Sequence, residues 1–217
     1  MHFDTDTGPL DAPIKTLIIA GWTGRDAAAV RHHINELMAI GIPAPSRTPL
    51  YYRTGANLLT QADQIDVLGK ASSGEAEPLV VQAGGKLWLG LGSDHTDREF
   101  EKTSVAASKQ MCPKPVGTQL WSWSSVADRL DDLVLSAEIF ENGAWVGYQK
   151  GKLSKIRPLE KLIEAAGMKD GFAMMCGTLP AIGSVRPSAQ FRARLHDPEM
   201  DREITLSYTA NRLPLII

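Results

Sequence analysis

Two glycines, Gly84-Gly85, stand between the apolar runs 79–83 and 87–91. A glycine pair between strand-like runs is a hairpin signature, because the tightest hairpin turns need positive φ. Asn142-Gly143 repeats the device between 133–140 and 144–148, and Asn-Gly favours a type I′ turn. Other strand-like segments cover 15–20, a short run from Tyr51-Tyr52-Arg53, 64–68, 172–176, 191–195 and 203–208. Helical spacing is confined to two places. One is 25–40, where Ala29, His33, Leu37 and Ile40 share a face; the other is 158–166, between Pro158 and Gly167. Residues 97–110 are polar and read as helical or irregular. The strand–helix alternation of a doubly wound fold is missing. The expected fold is mostly β (α+β) with a few peripheral helices.

A length of 217 residues suits one domain, or one with a small appendage. The expected division is a strand–helix and lid or connector segment at 1–48 and a β domain at 49–217. A net charge of −2 gives no electrostatic case for nucleic acid or an anionic membrane. No apolar run approaches the length of a membrane span. The acidic start MHFDTDTGPLDAPIK has no apolar signal core, so a cytoplasmic location is expected. Cys112 and Cys176 give neither a disulfide framework nor a zinc spacing.

Glu75 and Glu77 precede the apolar pair Val80-Val81, and Asp94 closes the run 87–92. Residues two apart on a strand share a face, and two parallel carboxylates repel unless a cation or a proton separates them. A returning hairpin would bring Asp94 to the same place. The acids therefore read either as a solvent-facing strand edge or as an oxygen-ligand site for a hard divalent ion. On helix 25–40, His33 and Glu36 are three apart and can touch. They read either as a surface pair or as a carboxylate-held general base; His32 reads as plain surface. The stretch GWTGRDAA, with Gly21 and Gly24, has a strand–turn–helix shape but neither the dinucleotide nor the Walker pattern.

Taken in order, these pieces resemble the fumarylacetoacetate hydrolase superfamily. The resembling stretches are HINELMAIGIPAPSRTPLYYR, GEAEPLVV, the segment Ser93-Asp94-His95-Thr96-Asp97-Arg98, SKQMCPKPVG, NGAWVGYQKGKLSKI and MMCGTLPAIGSV. Together they span about residues 30–214. The resemblance implies a mixed β-sandwich roll and a homodimer. It implies Mg²⁺, or Mn²⁺ or Ca²⁺, on Glu75, Glu77 and Asp94. It implies a small carboxylate substrate held by Gln149, Gly177 and Thr178, Lys109 stabilising developing negative charge, and His33 with Glu36 activating water from a lid. Lys102 and Lys114 are read as surface. Trp121, Trp123 and the C-terminal LPLII are read as core. The implied activity is metal-dependent hydrolysis of a 2-oxo acid or acylpyruvate-like diketone. Lyase or isomerase chemistry on the same platform and a non-catalytic binding protein are the alternatives. The sequence departs from the family in four places: Asp94 follows Glu77 by only 17 positions, Ser93 replaces an asparagine, Leu179 delays Pro180, and AIGSV replaces a glycine-richer loop. These departures reshape the pocket, so no substrate is transferred.

Overall fold

The computed structural model describes residues 1–39 and 44–216, without the side chains of His33 and Leu37. Among the described residues, eight strands form one sheet in the order Gly8–Asp11, His2–Thr5, Gln119–Ser122, Lys86–Ser93, Ala76–Ala83, Phe172–Met175, Thr16–Gly21 and Leu50–Thr54. A five-stranded sheet runs Ala144–Lys152, Val134–Glu141, Gln190–Asp197, Arg202–Leu213 and Gln64–Leu68. The main core lies between the sheets. Ile18, Val80, Leu89 and Met174 from the larger one meet Leu135, Ile139, Phe191 and Leu195 from the smaller. A second cluster, with Leu17, Ile19, Val81, Trp88 and Met175, covers the other face of the large sheet. Thr16–Gly21 is thus buried on both faces, which is why it reads as an unbroken apolar run. Gln190–Asp197 is covered on one face and alternates, with Phe191, Ala193 and Leu195 inward. Each fully buried aliphatic side chain contributes about 1.5–3 kcal/mol.

The β-rich reading holds. Both glycine-containing turns are where expected: Gly84 and Gly85 have φ of 62° and 71°, and Asn142 and Gly143 of 51° and 83°. The segment 1–48 is not set apart, since Thr16–Gly21 lies inside the large sheet between Phe172–Met175 and Leu50–Thr54. Residues 97–110 form two short helices, Arg98–Glu101 and Val105–Gln110.

The helix Ala27–Ala39 begins at Asp26, whose Oδ1 accepts from the Ala28 and Ala29 amides at 2.8 and 3.1 Å. Its inward face differs from the expected stripe. Ala29 is exposed, while Val30 and Ile34 are half-buried. Val30 folds back over Gly24, where a Cβ would meet Val30 Cγ2 at 2.8 Å. The side chains of His33 and Leu37, and all of Ile40, lie outside the described residues. Trp121 is core and Trp123 packs against it, but residues 213–216 of LPLII are exposed and not core, and Ile217 lies outside the described residues. After Leu213 the chain leaves the sheet, and Leu215 and Ile216 are exposed.

One buried ion cluster joins the two sheets. Asp197 is fully buried and accepts from Arg129 Nη2 at 2.9 Å and Arg202 Nε at 3.1 Å. Arg202 also lies over the Trp121 ring at 4.5 Å. Burial opposes the Asp197 charge, but the hydrogen bonds from Arg129 and Arg202 outweigh it and hold the carboxyl below its ordinary range. Asp197→Ala leaves two half-buried arginines without their shared partner and is expected to cost about 1.5–3 kcal/mol in urea unfolding at neutral pH. Because the folded value lies below the unfolded one, this contribution is complete above the ordinary carboxylate range and is lost as pH falls through the folded value. The stability gap between wild type and variant should therefore narrow under acid. An undiminished gap at about pH 3 would show that the Asp197 charge is not what stabilises.

Candidate metal centre

The Gly84-Gly85 turn sets the register of the hairpin it closes: Ala83 faces Lys86, Glu77 faces Gly92 and Ala76 faces Ser93. One step further, Asp94 faces Glu75, and the Asp94 amide donates to Glu75 O at 3.0 Å. Glu75 lies just outside the strand, which starts at Ala76. Cross-strand neighbours and their diagonals approach within side-chain reach. The result is that Glu75, Glu77 and Asp94 each offer a carboxylate oxygen within 4.8 Å of the others. A one-residue slip would turn these side chains to opposite faces.

Glu77 and Asp94 are buried and Glu75 is half-buried. Burial, and then the Asp94 charge, push the Glu77 carboxyl well above its ordinary value. Asp94 is also penalised by burial, but Lys109 and Lys114 outweigh that and hold it ionised, below the usual range. Lys109 Nζ bonds Asp94 Oδ2, and Lys114 Nζ lies 3.2 Å from Oδ1. Arg98 Nη2 stands 3.3 Å from Glu75 Oε2, and its Nη1 is 3.0 Å from Glu101. Lys109 sits in the last turn of Val105–Gln110, which Ser104 caps. That helix is tied to the sheet edge by Gln110, whose Oε1 accepts from the Gly55 amide at 2.8 Å. Burial disfavours the Lys109 ammonium, yet Asp94 and Glu75 hold its value above the ordinary one.

Hydrogen bonds from neighbouring segments fix these acids. Gly177 N–H donates to Glu77 Oε2 at 2.7 Å, and Thr178 Oγ1 donates to Ala76 O at 2.8 Å. Gln149 accepts from the Ala76 amide at 2.9 Å and donates to Thr178 Oγ1 and Leu179 O at 2.6 and 2.7 Å. A bulge makes this possible. Ala137 pairs with Gln149 but Glu138 with Gly147, so Tyr148 is an extra residue. Consecutive residues Tyr148 and Gln149 therefore both point inward. Gln149, Gly177 and Thr178 are thus at the site, with their donors turned to the chain segment that carries Glu75 and Glu77.

A family model described as protein of unknown function, DUF2848, matches residues 20–208. The chain belongs to the DUF2848 family. No curated protein matches it. Among solved structures, it resembles a candidate fumarylacetoacetate isomerase/hydrolase from Oleispira antarctica at 14% identity and a TM-score of 0.67, over 97% of this chain and 100% of that one. It resembles 2-keto-3-deoxy-D-arabinonate dehydratase complexed with magnesium and 2,5-dioxopentanoate at 15% identity and 0.67, over 96% and 76%. A third similar structure is 5-carboxymethyl-2-hydroxymuconate delta-isomerase from Mycobacterium smegmatis, at 15% and 0.62 over 93% and 78%. This DUF2848 chain has the fumarylacetoacetate hydrolase fold.

Several residues of the DUF2848 site escaped sequence reasoning. Lys114, expected at the surface, is fully buried, whereas Lys102 is exposed as expected. Its flanking prolines, Pro113 and Pro115, were the available signal, since they hold an extended backbone. Arg98 and Tyr52, whose ring lies 5.8 Å from Lys109 Nζ, stand in resembling stretches that assign them no role. Thr23, which packs on Gly177, carried no signal. His95 is neutral. Burial, then Lys114 and Arg98, pull it down to about 3. Both its nitrogens are occupied, by Tyr208 Oη and Ser72 Oγ at 2.8 Å each. Glu36 is exposed, with Oε1 3.3 Å from His32 Nε2. The His33 side chain lies outside the described residues.

Proposed function

We propose that this protein is a divalent-metal-dependent enzyme acting on a 2-oxo acid or acylpyruvate-like diketone, with hydrolytic carbon–carbon cleavage as its reaction. The observation that carries the reading is the meeting of Glu75, Glu77 and Asp94 around one point, two of them buried. Three carboxylate oxygens form a hard donor set suited to Mg²⁺ or Mn²⁺. A buried acid as disfavoured as Glu77 is the kind of group that such an ion neutralises. The fold likeness to a dehydratase solved with magnesium and 2,5-dioxopentanoate, itself a 2-oxo acid, supports both halves of the reading.

Held by Glu75, Glu77 and Asp94, a divalent ion would supply Lewis acidity to a bound 2-oxo acid. The chain supplies the rest. Lys109, buried against Asp94, places a permanent positive charge where negative charge develops. Gln149, Gly177 and Thr178 lock Glu75 and Glu77 in position, as the partners of metal ligands do. In the hydrolysis, water adds to the distal acyl carbonyl, the carbon–carbon bond breaks, and its electron pair passes to the 2-oxo acid as an enolate that is then protonated. His33 with Glu36 takes the proton from that water.

A lyase reading on the same platform is favoured by one observation, the fold likeness to a dehydratase. Assays with Mg²⁺ or Mn²⁺ separate the two: acylpyruvate cleavage that falls at least about 100-fold in Glu36→Gln marks the hydrolase. Oxaloacetate decarboxylation indifferent to Glu36 marks the lyase. Metal binding with neither turnover marks a binding protein and sinks the enzyme reading.

A further inference from the structure

Lys114 is fully buried. Its backbone runs parallel to Leu59–Thr60, and the Val116 amide donates to Thr60 O at 2.9 Å, so the loop is held by main-chain bonds. Its ammonium donates to His95 O and faces Asp94 Oδ1, the oxygen opposite the one Lys109 takes. Burying an ammonium is costly. A neutral side chain would keep this loop's main-chain bonds without that cost, so it is the charge that needs a reason.

The charge balance of the site offers one. Glu75, Glu77, Asp94 and Glu101 face Arg98, Lys109 and Lys114, which leaves one net negative charge when all are ionised. A divalent ion turns that into one net positive charge, the complement of a single carboxylate. Without Lys114 the loaded site would be neutral. We infer that Lys114 sets the charge of the loaded site and thereby selects monoanionic 2-oxo acids, acting as a positioning and specificity-determining residue through Asp94 without touching the substrate. This inference rests on the metal-binding reading above.

The two roles of that charge have opposite signs, which makes the test sharp. In Lys114→Met, Mn²⁺ measured alone by titration calorimetry should bind at least about tenfold tighter, because a unit positive charge has gone from beside its ligand. Pyruvate, titrated at saturating Mn²⁺, should bind at least about tenfold weaker for the same reason. Uncharged methyl pyruvate should lose much less than pyruvate, and Lys114→Arg should stay close to wild type in every titration. A merely structural lysine predicts that both affinities fall together, and that result, or no change in either, overturns the inference while leaving the metal site standing. Wild-type protein that binds no Mn²⁺ overturns the metal reading and the inference with it. Lys114→Gln, which keeps an N–H for His95 O, gives the same readings if the methionine variant does not fold. Failure of both neutral variants to fold, with Lys114→Arg folded, assigns Lys114 to the fold and overturns the inference.

Discussion

Glu77→Gln should lose Mn²⁺ affinity by at least about 100-fold, since even the outer partners of metal ligands are worth 10- to 100-fold. The substitution keeps the shape of the side chain and an oxygen that can accept from Gly177 N–H, now at 2.7 Å from Glu77 Oε2. What it removes is a buried carboxylate that burial and the Asp94 charge both disfavour. Without the ion, the variant should therefore unfold at the same temperature as wild type or a higher one. Glu77→Ala, by contrast, orphans the Gly177 amide and should lose stability as well as the ion, by about 1–3 kcal/mol. Calorimetric titration and a thermal melt on the same samples read both effects. Wild-type Mn²⁺ affinity in Glu77→Gln would remove the metal centre, and the proposed chemistry with it.

Gly177→Ala is the second large effect, and it acts on the frame. Gly177 has φ of 96°, and a Cβ there would lie 1.7 Å from Thr23 Oγ1 and 2.9 Å from Thr23 Cβ. Holding a non-glycine residue in that conformation costs about 1–3 kcal/mol, and forcing Thr23 away adds about 1–3 kcal/mol of overpacking. The unfolding midpoint in urea should fall accordingly, and Mn²⁺ affinity should fall with it because the Gly177 amide no longer holds Glu77. A double-mutant cycle with Thr23→Gly separates the contributions: the steric part is recovered in the double variant, giving a coupling energy of about 1–3 kcal/mol, while the backbone strain remains. An unaltered midpoint in Gly177→Ala would mean that Thr23 and Gly177 do not pack as described.

The hairpin skeleton of this fold was legible in the sequence because its signals are local. Gly84-Gly85 and Asn142-Gly143 need only their own φ angles to declare a turn. Once the first turn is placed, the register that sets Asp94 beside Glu75 follows by counting. The burial of Lys114 depends on strand Leu59–Thr60, far away in sequence, and its flanking prolines mark only an extended backbone. Ala29, expected on the inward face of Ala27–Ala39, is exposed because Val30 settles on Gly24 outside the helix. Gln149 lies beside the acids, but its hydrogen bonds were hidden. The bulge at Tyr148 that aims it at Ala76 has no mark in the sequence.

Gln149, Thr178 and the main chain of Ala76 close a ring of hydrogen bonds, and the Gly177 amide beside it donates to Glu77. Side chains outside that ring carry none of its bonds, including exposed Ile182 and Val185 on the segment that follows Leu179. Substitutions at Ile182 and Val185 can therefore be tried, by evolution or in a mutant library, at little risk to the three acids. Diversification of what enters the pocket is separable from retention of what powers it.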